Sequence, residues 1–90
     1  LQSFDQTLAA TNVGLTTAVN LVAAAHEQKR LSDTDAVEAR KIAQEAATVL
    51  DSAKVLSDQG DLTTAEAKLN LAAGLLDQLE AYLLARGVKQ

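Results

Sequence analysis

LSDTDAVEARKIAQEAATVLDSAKVLSDQGDLTTAE, residues 31–66, decides the fold, because it holds one whole helix and the start of the next. Ser32 is a good N-cap, and Asp33 and Asp35 fall in the first turn, where the helix dipole favours carboxylates. Asp35 stands three residues after Ser32 and can close a capping box. Leu31, just before the cap, can staple onto Ala36. Ala39, Ile42, Ala43, Ala46, Val49, Leu50, Ala53 and Leu56 then recur at helical spacing and form one apolar stripe. Lys41, Glu45, Thr48 and Ser52 fall on the opposite side. Gly60 ends the helix, since glycine enters the left-handed conformation after a helix at little cost. Asp61 is a cap for the next helix. Thr63, with Glu66 three residues on, is another.

Toward the C-terminus, Ala65, Leu69, Ala72, Leu76, Leu79 and Leu83 make a second stripe, flanked by Leu75 and Tyr82. Gly87 stops that helix, and residues 88–90 are expected to fray. Toward the N-terminus, Ser3-Phe4-Asp5-Gln6 fits a capping box. Phe4, Leu8, Leu15, Ala18, Val22 and Ala25, with Thr11 in one slot, alternate four and three, the spacing of a coiled-coil seam. Leu21 widens this stripe. Lys29 and Arg30 suit the negative end of that helix.

The spacing therefore predicts helices over about 4–29, 33–58 and 62–86, joined by short connections. Short connections between long helices force antiparallel neighbours. The expected fold is all-α: one domain over 1–90, an elongated, antiparallel up-down-up three-helix bundle with an Ala/Leu-rich core. At 1.5 Å per residue each helix runs about 37 Å. Gly14 and Gly74 interrupt helices at a cost of about 1 kcal/mol each relative to Ala, and close helix contact is expected at both.

Composition narrows the chemistry. The 90 residues contain no Cys, Met, Trp or Pro, and the aromatics are Phe4 and Tyr82. Without Cys there is no thiol catalysis, disulfide scaffold or Cys-ligated metal. One histidine, His26, excludes a multi-His site. It lies near the end of helix 1, where the dipole suits an exposed His. Eight Lys and Arg against twelve Asp and Glu give a net charge of −4, a poor basis for gripping nucleic-acid phosphates. Ser3, Ser32, Ser52 and Ser57 read as caps or surface positions, not nucleophiles. Asp33-Thr34-Asp35 and Asp58-Gln59-Gly60-Asp61 lack the further oxygen ligands of a calcium loop. Residues 60–72 look like the opening of a tetratricopeptide helix, but no 34-residue period follows. No catalytic residue, cofactor or metal is expected, and no enzyme.

The outer face of helix 1 is the notable surface. No charged side chain lies between Asp5 and Glu27, whereas exposed helix faces usually carry Lys and Glu. Val13, Thr16, Thr17, Val19 and Asn20 lie on or near that face. Leu71 and Leu84 fall outside the helix 3 stripe and form a second candidate strip. Two readings stand: an inert Thr/Asn surface, or a contact face for another protein or a second copy. Gln6 to His26 is long enough to span a bilayer, but its Thr, Asn and Gln side chains are expected to bar it from hydrocarbon. No signal peptide is visible, and the opening Leu1-Gln2-Ser3 lacks Met, so removal of earlier residues is expected.

The segments Leu31-Ser32-Asp33-Thr34-Asp35-Ala36, Leu50-Asp51-Ser52-Ala53, Gly60-Asp61-Leu62 and Leu79-Glu80-Ala81-Tyr82-Leu83 together resemble small prophage-encoded lipoproteins of Gram-negative bacteria. The resemblance covers most of residues 4–86 and rests on caps and stripes. It implies a periplasm-facing domain, tethered to the membrane through a lipidated Cys that this chain does not contain. It implies no chemistry of its own, and a setting in phage lysis or superinfection exclusion. The alternative is a cytoplasmic helical assembly or dimerisation module.

Overall fold

A computed structural model describes residues 3–88 of the chain. Three helices run in order: α1 over Phe4–Glu27, α2 over Asp33–Asp58 and α3 over Leu62–Ala85. All three pack against one another, and α2 and α3 lie closer to each other than either does to α1. The bundle measures 44 × 23 × 17 Å, an elongated rod.

Each helix starts where its cap dictates. Ser3 Oγ accepts the Gln6 N–H and Gln6 Oε1 accepts the Ser3 N–H, both at 3.2 Å, completing a capping box. Ser32 Oγ accepts the Asp35 N–H at 3.1 Å. Here the expected box is only half made, because the Asp35 carboxylate reaches across to α3 instead. Asp61, not Thr63, caps α3, its Oδ1 accepting the Thr64 N–H at 3.2 Å.

All three helices end in the same paired turn. Arg30 N–H bonds Ala25 O at 2.8 Å, Asp61 N–H bonds Leu56 O at 2.9 Å, and Val88 N–H bonds Leu83 O at 2.9 Å. The turn needs one left-handed residue, supplied by Gly60 and Gly87 for α2 and α3. After α1 the residue is Lys29, at φ 61°. Its left-handed backbone ends α1 two residues before the expected position 29. The same device corrects the expectation of a frayed tail at 88, while positions 89 and 90 of that expectation lie outside the described residues. The Gly87 turn folds Val88 back onto the bundle, where it is 2% exposed.

The core follows the stripes. Leu15, Ala18, Val22 and Ala25 of α1 meet Ala36 through Ala53 of α2 and Leu69 through Leu83 of α3. Leu31 and Ala36 are both buried in this cluster, as a staple requires. Thr11 holds its core slot by donating its hydroxyl to Thr7 O at 2.8 Å. That bond satisfies a buried hydroxyl without a partner from another helix. Alanine dominates the α2 side and leucine the α3 side. The glycines divide. A Cβ on Gly14 would sit 2.9 Å from Leu76 Cδ2, so close contact explains it. A Cβ on Gly74 would meet nothing within 4 Å, which corrects the expected close contact at that position.

By length and composition alone α1 is long and apolar enough to cross a membrane, a test that a core helix of a folded bundle passes as well. Thr and Asn lower its hydropathy less than charges would, and Gln6 to Ala25 carries none. In this fold its inner face belongs to the bundle core.

Candidate functional site

Val13, Thr16, Thr17 and Asn20 recur at three- and four-residue spacing and share one exposed face of α1. Val13 is 66% exposed and points directly away from the core. The flanking Ala9, Ala10, Ala23 and Ala24 are exposed as well. Val19 is placed differently. It lies seven residues beyond Asn12, so it continues the edge that Leu8 and Asn12 form against Leu50 and Lys54 of α2. It is only half exposed there.

The structure does not bring Leu71 and Leu84 into one strip. Both are more than half exposed. Thirteen residues at about 100° each put them some 140° apart around α3. Leu71 instead lines a groove between α2 and α3 with Val49 and Leu75. A second, shallow depression lies beside Thr48 and is lined by Ser52, Val55, Leu56 and Lys68. Val55, six residues and so about 120° around α2 from Val49, faces outward, whereas exposed Leu71 joins half-buried Val49 and Leu75 in a short apolar trough. Sequence reading missed it, because Val49 and Leu75 were assigned to the core stripes or their flanks. Their partial exposure, set by the closeness of α2 to α3, reveals the trough.

The titratable chemistry gathers at one end of the rod. Tyr82 Oη donates to Asp35 Oδ1 at 3.0 Å, and Arg86 Nε lies 3.2 Å from the same oxygen. The Arg86 guanidinium stands over the Tyr82 ring, its Cζ 3.5 Å from the centroid, in cation–π contact. Arg86 hydrogen bonding lowers the Asp35 carboxyl below its ordinary value, against the opposing pull of burial. Burial, then the bond to Asp35, raises the Tyr82 phenol. The cluster keeps Asp35 ionised and Tyr82 protonated, and it pins the start of α2 to the end of α3. Nearby, Arg30 donates to Gly87 O at 3.3 Å, tying the α1–α2 connection to the α3 terminus. His26 Nε2 lies 2.6 Å from Asp33 Oδ1 across the same connection. No group of three His, Asp or Glu side chains placed to hold a metal occurs among the described residues.

The sign of the pH dependence follows. A carboxyl lowered from 3.8 stabilises the fold above that value and loses its contribution as pH falls through the folded-state value. Melting temperature is therefore expected to drop on the acid side of about pH 4, and Asp35→Asn to flatten that drop. Melting curves across the acid range check this; an unchanged acid slope in Asp35→Asn would remove the cluster from the account. The raised phenol acts at the other extreme, where its contribution is lost as pH rises through the folded-state value.

No protein-family profile, curated protein or solved structure matches the chain.

Proposed function

We propose that this chain is a non-catalytic protein-contact domain, the periplasm-facing part of a small prophage envelope lipoprotein. The observation that carries the contact reading is the outward half of α1. It runs from Gln6 to Ala24 without a charged side chain, yet it faces solvent, with Val13 66% exposed. Burying such a face desolvates no ion, so association there avoids the largest cost of a polar interface. Val13, Thr16, Thr17 and Asn20 form the centre of the contact, and Val19 its edge toward α2. The envelope setting is supported by the resemblance of the capped segments around Ser32, Asp61 and Tyr82. The reading frame upstream of Leu1 tests it. An apolar signal followed by Cys supports the tether; its absence supports the cytoplasmic assembly module.

A photo-crosslinking residue at position 13 tests the contact itself. One discrete adduct is expected in the cell, lost when Thr17→Lys is added. Val13→Glu with Thr17→Lys should leave helicity unchanged while weakening the complex by about 1–3 kcal/mol. Absence of any adduct at position 13 counts against the face.

A further inference from the structure

We propose that the α1–α2 connection can straighten, joining residues 4–58 into one helix, and that two such open chains exchange their α1 helices to form a dimer. The groove that α1 fills on its own α2–α3 pair is then filled by α1 of the second copy, through the contacts that the single chain already makes. The outward face of α1 takes no part, so this proposal and the contact proposed for that face stand or fall independently. Three observations support it.

The first is the conformation of the connection. A paired turn of this kind usually has glycine at its left-handed residue, and Gly60 and Gly87 fill that place after α2 and α3. After α1 the place falls to Lys29, at φ 61°, a region that residues with a side chain enter at a cost. The local sequence does not demand a turn. Gln28, Lys29, Arg30 and Leu31 are all good helix formers, with no Gly or Pro among them. Straightening relieves Lys29 and continues the helix through residues that favour it.

The second is register. The seam of α1 runs through positions 4, 8, 11, 15, 18, 22 and 25. Continued in steps of four and three, it passes 29 and 32 and lands on Ala36, Ala39, Ala43, Ala46, Leu50 and Ala53, all buried on α2. In a continuous helix Ala25 and Ala36 are eleven residues apart, which is three turns and only about 20°. One long helix therefore keeps a single apolar seam along its length. The long helix of a second copy can lie antiparallel against it, and α1 of each chain then meets α2 of the other in the sense it has in the monomer. The α2–α3 connection lacks this property. The same steps carried beyond Ala53 reach 67, 71 and 74, all exposed, and miss the buried Ala65, Leu69 and Ala72.

The third is ease of exchange. α1 is the least closely packed helix, and exchange re-forms its core contacts instead of losing them. What is given up is the bend itself: Ser32 Oγ accepting the Asp35 N–H, and the paired turn at Lys29 and Arg30. These bonds hold the closed monomer when the protein is dilute. Mass action favours the dimer when it is concentrated.

Refolding at about 10 µM and at about 1 mM, followed by light scattering, tests the exchange. Concentrated refolding is expected to yield a species of twice the 9.4 kDa of one chain, and dilute refolding the monomer. Residues 4–58 as one helix are about 80 Å long. Small-angle scattering should therefore show a dimer near twice the 44 Å length of the closed bundle, whereas copies paired side by side keep that length. Lys29→Gly, which suits the turn and weakens the straight helix, should lower the dimer yield at least about tenfold. Ser32→Ala, which removes a cap that only the bent form uses, should raise it. Val13→Glu with Thr17→Lys should leave it unchanged. Asn12 and Lys54 line one cleft between α1 and α2, and the chain has no cysteine of its own. Asn12→Cys chains refolded together with Lys54→Cys chains should therefore link by a disulfide on mild oxidation, and Val13→Cys chains with Lys54→Cys chains should not. A monomer at every concentration, Ser32→Ala included, overturns the proposal. So does a dimer no longer than the closed bundle, one indifferent to Lys29→Gly, or one that forms no link between positions 12 and 54.

Discussion

Leu79→Ala is expected to cost about 3–5 kcal/mol, the upper part of the range for a buried leucine. Leu79 is fully buried and lies on the α3 stripe, in a core whose α2 side is alanine at positions 36, 39, 43, 46 and 53. An alanine methyl is fixed to its backbone and cannot swing into a void. Relaxation would require α2 to move bodily toward α3, against contacts along its whole length. The cavity therefore stays open. A domain of this size has about 5–13 kcal/mol in total at typical values per residue. One truncation would then remove a large share of it. Urea unfolding followed by circular dichroism measures the loss. A cost below about 1 kcal/mol would mean that the helices close up, and that alanine packing is softer than the geometry implies.

The opposite change at the facing helix is expected to hurt as well. Ala46 is 1% exposed, in the middle of α2. Ala46→Leu adds three carbons where a methyl already fills the space. Overpacking of this kind costs about 1–3 kcal/mol. For a domain of this length each kcal/mol moves the melting temperature by about 4–8 °C. A fall of at least about 4 °C is expected, with helical content intact at low temperature. An unchanged melting temperature would show that α2 is not close-packed there.

The two substitutions fail in opposite directions because the core is asymmetric. Its α2 side has no reserve volume to give, and its α3 side has no spare volume to lose. Helical periodicity makes that asymmetry readable from sequence. The stripe 39, 42, 43, 46, 50, 53 is mostly alanine, and the stripe 65, 69, 72, 76, 79, 83 is mostly leucine, with alanine at 65 and 72. Caps were equally legible, since Ser3, Ser32 and Asp61 act on the three or four residues that follow. What sequence did not show depends on how the helices are turned toward one another. Leu71 and Leu84 both lie outside the α3 stripe, but only the placement of α2 decides that Leu71 borders a groove. Tyr82 and Asp35 are 47 residues apart, and nothing local announces their bond. A half-buried phenol does need a hydrogen-bond partner, which is the one signal that points to such a bond. Gly14 and Gly74 look alike in the sequence. A neighbour's leucine justifies the first, and none justifies the second. The end of α1 was misplaced by two residues because Lys29 takes the left-handed turn usually given to glycine.

The unequal spacing of the three helices sets an order of opening. α2 and α3 are consecutive in sequence, joined by a short turn, and packed more closely with each other than with α1. They form a hairpin whose contacts are close in sequence and cheap in loop entropy. α1, the less closely packed helix, is expected to close over one side of that hairpin last and to leave first, which amide exchange would report. Its amides are therefore set to exchange with solvent through a partial opening that leaves the hairpin formed, while amides at the centres of α2 and α3 wait for the whole chain to unfold. The domain is expected to behave as a two-helix unit carrying a third helix in reserve.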